Sequence, residues 1–203
     1  MIAPRKIRFE AGKRRNENFA FRTYLKCNAE EDKLDEQFQK LHQELFRNYD
    51  CSRCRNCCKM YRGSIPKEDL EQDAGVLGLT KEELIEKYLE KSETEDGYET
   101  KHVPCDFLDQ NGDCRLGSCK PQSCKTFPYT DQPERLYSLL SVLDVIEVCP
   151  VAFEIFERLK KEYGWKYQRE KFAGKGKSGI VYEIVYSDSI IRGHEKGSDS
   201  LHE

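Results

Sequence analysis

The sequence predicts a small single α+β domain that combines several helices, a short hairpin and a cysteine-rich loop region. Three observations support this prediction. Some segments carry apolar residues at helical spacing, whereas others are rich in strand-forming residues. An Asn-Gly pair marks a tight turn, and ten cysteines lie mostly between the predicted elements. The length of 203 residues is typical of one domain, or of one domain with arms.

The first long helix is predicted at residues 30–48. Its apolar residues repeat at helical spacing and are Leu34, Phe38, Leu41 and Leu45. Charged residues separate them, so one face of the helix is predicted to pack on the core and the other to face water.

Further helices are predicted at residues 67–77, 80–91 and 151–163. Thr80 and Glu83 have the spacing of a capping box, in which the threonine hydroxyl caps the helix and the glutamate side chain reaches back to the first backbone N–H. This pair fixes the start of the helix at residues 80–91.

A strand is predicted to begin at Tyr98. Downstream of it, Asn111-Gly112 favours a hairpin turn. The turn is predicted to bring Cys105 and Cys114 close together.

Two later segments are also predicted as strands. They are residues 136–148, for which a helix is the alternative, and residues 180–186. The chain is then divided into a basic N-terminal arm at residues 1–26, a cysteine-cluster domain at residues 27–186 and a flexible tail at residues 187–203.

The predicted arm carries eight basic and two acidic residues. Its aromatic residues Phe19, Phe21 and Tyr24 predict that its second half docks on the body of the protein.

Composition restricts the function classes. Lys and Arg number 34 and Asp and Glu number 37, which gives a net charge of −3 and argues against a whole-protein surface for nucleic acid or membrane. No apolar run of about 18 residues is present, so no membrane-spanning segment is predicted. The first residues lack the apolar core of a secretory signal, so we expect a cytoplasmic protein with reduced thiols. Cysteines in that setting favour metal or redox chemistry over disulfides.

The run Cys51-Ser-Arg-Cys54-Arg-Asn-Cys57-Cys58 places four thiols within eight residues. Two residues between cysteines let the backbone turn so that both sulfurs face one centre, and the C-x₂-C-x₂-C spacing is that of bacterial ferredoxins. In such proteins a later Cys-Pro adds a ligand, for which Cys149 is the candidate here. Because Cys57 and Cys58 are adjacent, they serve different centres or one of them lies outside the coordination shell.

Eight thiols are predicted to bind metal. They are Cys51, Cys54, Cys57, Cys58, Cys105, Cys114, Cys124 and Cys149. Eight ligands suffice for two four-ligand sites, although a single site with spare thiols also fits. The predicted cofactor is an iron–sulfur cluster or zinc, with a preference for the former because of the ferredoxin spacing. Cys27 is predicted to be a plain thiol. Cys119 is left open as a ligand because it is unpaired in the pattern, and His102 is a weaker candidate ligand for zinc.

Several segments together carry a resemblance to a known family. They are Cys51–Cys58, Cys105-Asp-Phe-Leu-Asp109, Cys114, Lys120-Pro-Gln-Ser-Cys124-Lys-Thr-Phe-Pro128 and Cys149-Pro150. This set resembles the CxxCxxCC cysteine-cluster family, also called YkgJ-type, which is described as zinc- or iron-chelating. The resemblance covers residues 49–152. Lys120 and Lys125 stand where the family has arginines, which keeps the charge but loses the forked hydrogen bonding of a guanidinium.

The resemblance implies a metal site more firmly than a reaction. We therefore expect a metal-binding protein whose partner is a metal ion, with no membrane or nucleic-acid partner and with any protein partner left open. The alternative is a metal-dependent enzyme, either a redox protein or a transferase similar to the lysine N-methylases that some family members are.

Overall fold

The computed structural model describes residues 1–93 and 96–167, together with the backbone of residues 174–175 and 181–182. These residues form a helical bundle and a smaller module built on a three-stranded antiparallel sheet. The predicted α+β class is thus confirmed. No helix in this described part of the chain has the length and apolar character needed to cross a membrane.

Helices account for most of the regular structure in the described residues. The α-helices are α1 (Ile7–Lys13), α2 (Arg15–Asn28), α3 (Glu31–Phe46), α4 (Cys51–Cys54), α5 (Asn56–Met60), α6 (Leu70–Leu77), α7 (Lys81–Tyr88), α8 (Gln122–Thr126), α9 (Arg135–Ile146) and α10 (Pro150–Glu162). The strands are β1 (Ser64–Pro66), β2 (Leu89–Lys91), β3 (Gly97–Thr100), β4 (Gly174–Lys175) and β5 (Val181–Tyr182). Short 3-10 turns lie at Pro4–Lys6, Lys67–Asp69 and Gly117–Cys119.

The helical bundle consists of α1, α2, α3, α9 and α10. Helices α3, α9 and α10 pack on one another, α2 packs on α9, and α1 packs on α10. The apolar stripe predicted for residues 30–48 faces this core, where Leu34 and Phe38 are fully buried. Phe21 and Phe156 meet edge to face with ring centroids 5.2 Å apart. Burial of such a continuous apolar core supplies the main stabilisation of the bundle.

The N-terminal segment belongs to this bundle. Helix α2 runs without a break past the predicted boundary at residue 26, and both Phe21 and Leu25 are fully buried. Ile7 on α1 is also buried. Basic residues occupy the outer faces of these helices, which is why their composition alone resembles that of an arm.

Helix α9 covers most of residues 136–148, so the strand predicted there is wrong and the helical alternative is confirmed. Leu139, Val142 and Ile146 are buried on one helical face. The start of the helix is held from outside, because both carboxylate oxygens of Asp35 accept hydrogen bonds from the backbone N–H groups of Glu134 and Arg135 at 2.7 and 2.8 Å. This tertiary cap stabilises a helix whose β-branched residues favour a strand locally.

The sheet module contains β1, β2, β3, α6 and α7. Its strand order is β1-β3-β2, and Ile65 pairs with Tyr98, which confirms the strand predicted at that residue. The capping box of Thr80 and Glu83 is present at the start of α7. Ile65 and Phe107 are among the buried residues of a second, smaller core.

The remaining helix predictions are confirmed except at residues 89–91, the end of the helix predicted at residues 80–91, which form β2. The helix predicted at residues 151–163 is α10, and that predicted at residues 67–77 is a 3-10 turn followed by α6. Of the strand predicted at residues 180–186, only residues 181–182 are described, and they pair with β4. The predicted tail at residues 187–203 lies outside the described residues.

Candidate metal centre

The cysteine run predicted as a loop forms two short helical turns, α4 and α5. Asp50 caps the first turn by accepting a hydrogen bond from the backbone N–H of Ser52 at 2.8 Å. Arg55 separates the turns because its backbone has a φ of 50° in the left-handed region. Within α4, Cys51 and Cys54 lie three residues apart and so share one face. The left-handed conformation of Arg55 then changes the direction of the backbone before Cys57 and Cys58.

Three long-range contacts fix this double turn between the bundle and the sheet module. The side chain of Asn56, which is buried, donates a hydrogen bond to the carbonyl of Val148 at 2.6 Å. Arg55 forms an ion pair with Asp113 at 2.9 Å. The backbone N–H of Cys105 donates to the carbonyl of Cys58 at 2.8 Å. The double turn is therefore tied both to the chain before α10 and to the segment of Cys105 and Cys114.

The first cavity lies at the end of the bundle and has a volume of about 90 Å³. Its walls include Phe46, Tyr49 and Val148. The thiols that line it belong to Cys51, Cys54, Cys57, Cys58, Cys124 and Cys149.

The second cavity lies in the sheet module and has a volume of about 20 Å³. Its walls include Ile65, Phe107 and Leu116, which belong to the smaller core. The thiols that line it belong to Cys58, Cys105, Cys114 and Cys124. Of the hairpin predicted around Asn111-Gly112, the structure contains one isolated antiparallel β-bridge, which pairs Leu108 with Cys114.

Cys58 and Cys124 line both cavities, so these two residues form the wall between them. The Sγ atoms of Cys57 and Cys58 lie 3.9 Å apart. In residues 1–93 and 96–167, no group of three or more Cys, His, Asp or Glu side chains already has its donor atoms gathered as an ion requires. The donor set nevertheless fits zinc or iron, because thiol sulfurs from separate segments line shared apolar cavities.

Burial raises the pKa of several of these thiols. It raises the pKa of Cys149, at the start of α10, to about 11, although interactions with the backbone N–H groups of Ala152 and Val151 oppose the rise. Burial also raises the pKa of Cys124 to about 11. Between the adjacent pair, the mutual hydrogen bond lowers the pKa of Cys57 and raises that of Cys58. Binding of a cation to such thiols must therefore release protons.

Lys120 lines both cavities and carries a positive charge beside the thiols. Its charge counteracts the effect of burial on the pKa of Cys124 and adds to the hydrogen bond that lowers the pKa of Cys57. An ammonium at this position offsets the negative charge that several thiolates would accumulate.

The other candidates lie elsewhere. Cys27 is exposed at the end of α2. Cys119 accepts a hydrogen bond from Gln72 at 3.1 Å and lines neither cavity. His102 is hydrogen-bonded to Asp106 at 2.8 Å with most of its ring exposed, and it lines neither cavity.

Sequence reasoning missed three residues that shape the site, namely Tyr49, Arg55 and Asn56. Burial, followed by a hydrogen bond with Cys54, raises the pKa of Tyr49. Arg55 and Asn56 were visible only as polar residues between cysteines. An asparagine inside such a tight run is a usable signal, since a buried amide must find hydrogen-bond partners.

An open cleft of about 600 Å³ adjoins the two cavities. Cys57, Cys58, Cys105 and Cys124 lie along it, as does Tyr61. Burial and then the charge of Asp144 raise the pKa of Tyr61 to about 12, so this phenol stays protonated at neutral pH.

A small α+β domain with thiols converging on buried cavities has the donor set of a metal-binding protein. Residues 50–150 match the model of the CxxCxxCC family, whose description is "putative zinc- or iron-chelating domain". The chain belongs to this family, as its resemblance predicted. Comparison with curated proteins and with solved structures gave no significant match.

Proposed function

We propose that this protein chelates iron or zinc through the eight thiols that line the two cavities. The observation that carries the proposal is the convergence of cysteines from four separate parts of the chain. Residues 51–58 meet Cys105, Cys114 and Cys124, which follow about fifty or more positions later, as well as Cys149. Scattered structural cysteines would have no reason to meet in this way. Soft sulfur donors in apolar surroundings suit both metals.

The preferred form of the metal is an iron–sulfur cluster. The spacing of Cys51, Cys54 and Cys57 is that of ferredoxin ligands, and Cys149, which is followed by proline, lines the same cavity. Zinc accepts the same thiolates and is the other outcome of the test.

Elemental analysis of protein purified without oxygen tests the proposal. We expect stoichiometric iron with acid-labile sulfide and a broad visible absorbance that bleaches on reduction, or a colourless protein with stoichiometric zinc. Cys119→Ser is the matched control because Cys119 lines neither cavity, and it should retain the metal content of the wild type. Fully reduced, folded protein that holds neither metal and takes up neither on reconstitution would refute metal chelation.

A second candidate, a metal-dependent transferase, is favoured by the open cleft. Its volume of about 600 Å³ is in the range of small-molecule sites, and four of the eight thiols lie along it. The test is incubation of the metal-loaded protein with S-adenosylmethionine and lysine-containing peptides, followed by mass spectrometry. Methylated peptide would support this activity, and unmodified peptide with intact metal would exclude it.

A further inference from the structure

We propose that the eight thiols form two separate four-sulfur centres, with the adjacent residues Cys57 and Cys58 assigned to different ones. The inference rests on the proposed function and adds the ligand partition to it. The first centre consists of Cys51, Cys54, Cys57 and Cys149. The second centre consists of Cys58, Cys105, Cys114 and Cys124.

Six thiols line one of the two cavities and not the other. Cys51, Cys54, Cys57 and Cys149 line the first cavity and not the second. Cys105 and Cys114 line the second and not the first. These six thiols therefore fall into two groups, one for each proposed centre.

The wall thiols complete the second centre. Cys105 and Cys114 need two more sulfurs to reach four-coordination, and Cys58 and Cys124 line the same cavity. The hydrogen bond from the N–H of Cys105 to the carbonyl of Cys58 holds these two residues side by side at 2.8 Å. The first cavity then retains the four thiols that line it and not the second cavity.

The helical geometry of α5 separates the adjacent pair. Successive residues of a helix point about 100° apart around its axis, so Cys57 and Cys58 face different directions. Their sulfurs lie 3.9 Å apart, a separation that two ligands of one ion would also have, so the assignment rests on the cavities: Cys57 lines only the first of them, whereas Cys58 also lines the second.

Each centre is also enclosed by a different core. Phe46, which lines the first cavity, packs against the core of the bundle. Ile65, Phe107 and Leu116, which line the second, belong to the core of the sheet module. The four thiols proposed for each centre thus line a cavity that adjoins one of the two cores.

Cadmium binding to the reduced, metal-free wild type tests the number of centres without any mutation. Cadmium favours four-thiolate sites, and cadmium NMR resolves each bound ion. We expect two resonances of equal intensity in the tetrathiolate range at saturation. A single resonance would overturn the partition while leaving metal chelation intact, whereas no bound cadmium would overturn the proposed function itself.

Matched substitutions test the membership of each centre. Cys54→Ser should remove one resonance, Cys114→Ser the other, and the double variant both. Cys57→Ser and Cys58→Ser should affect different resonances although the residues are neighbours. Cys119→Ser should keep both. Loss of the same resonance in Cys54→Ser and Cys114→Ser, with helicity unchanged by circular dichroism, would overturn the assignment.

Discussion

The helical bundle and the sheet module have very different cores. In the described residues, the core of the bundle contains nineteen buried residues and that of the sheet module seven. Small cores rarely stabilise a fold alone, and structural metals commonly supply the missing free energy. From this difference in core size we expect the bundle to stabilise itself and the sheet module to depend on the metal proposed for its thiols.

Two buried charged residues, one in each region, also differ in their hydrogen bonding. Lys160 in the bundle is 5% exposed, and its ammonium contacts Glu17, Asn18 and Glu157 at 2.9, 2.7 and 2.6 Å. Asp73 in the sheet module is 1% exposed, and neither of its carboxylate oxygens has a hydrogen-bond partner among the described residues. The carboxylate of Asp73 is therefore buried without the hydrogen bonds that compensate the charge of Lys160.

The largest expected effect is that of metal removal. Chelation under reducing conditions should expose β1, β3, α6 and α7 to fast hydrogen exchange while α3 and α10 stay protected, because binding free energy at such sites contributes directly to folding. Hydrogen-exchange mass spectrometry of loaded and stripped protein measures this. Equal loss of protection in both regions would contradict the dependence of the sheet module alone on metal.

The next effect is that of core truncation in the bundle. Phe38 is fully buried, so Phe38→Ala should lower the free energy of unfolding by about 3–5 kcal/mol, because it removes apolar contacts and leaves a cavity. Urea denaturation followed by circular dichroism gives the value. Phe38→Leu is the control and should lose less, while a loss below about 1 kcal/mol for Phe38→Ala would show that the bundle core is not the main source of stability.

The effect of pH in the sheet module is smaller. Burial, followed by the charge of Asp69, raises the pKa of Asp73 from 3.8 to about 6. The folded state therefore holds this proton more tightly, and the stabilisation from it is present below about pH 4 and lost as pH rises through about 6.

Asp73→Asn removes this titration. The variant should be about 2 kcal/mol more stable than the wild type at neutral pH, and the difference should shrink towards zero at low pH, where Asp73 itself is protonated. Urea denaturation of both proteins across that pH range checks this. A difference that does not vary with pH would mean that the carboxylate is not the source.

The smallest effect is expected at the start of α7. The hydroxyl of Thr80 accepts a hydrogen bond from the N–H of Glu83 at 3.2 Å, so Thr80→Ala should cost about 1 kcal/mol. Thr80→Ser retains the cap and serves as the control. If the two variants have equal midpoints in urea, the capping box adds nothing to the sheet module.

Predictions from the sequence succeed where local signals and tertiary packing agree. The stripe containing Leu34 and Phe38 predicts α3, and Thr80 with Glu83 predicts the start of α7, because spacing and capping act within a few residues. They fail at α9, where the cap comes from Asp35 on a distant helix. No local pattern reports a hydrogen bond that joins positions about a hundred residues apart.

For the candidate site, too, some features could be predicted from the sequence and others could not. Its eight thiols could be selected from spacing and family resemblance. The cavity that each thiol lines could not be predicted, since it depends on long-range contacts such as the hydrogen bond from the N–H of Cys105 to the carbonyl of Cys58. The docking of the second half of residues 1–26 could be predicted from aromatic residues such as Phe21, whereas the burial of Ile7 in the first half could not, because basic outer faces mask such isolated positions.

The hydrogen bond between Asn56 and Val148 has a consequence for biosynthesis. The two residues are 92 positions apart, so the double turn cannot settle into its final place until the ribosome has released nearly all of the bundle. Cys51, Cys54, Cys57 and Cys58 are synthesised long before Cys149. The protection of these four thiols from oxidation therefore depends on when Cys149 is synthesised as well as on the folded structure.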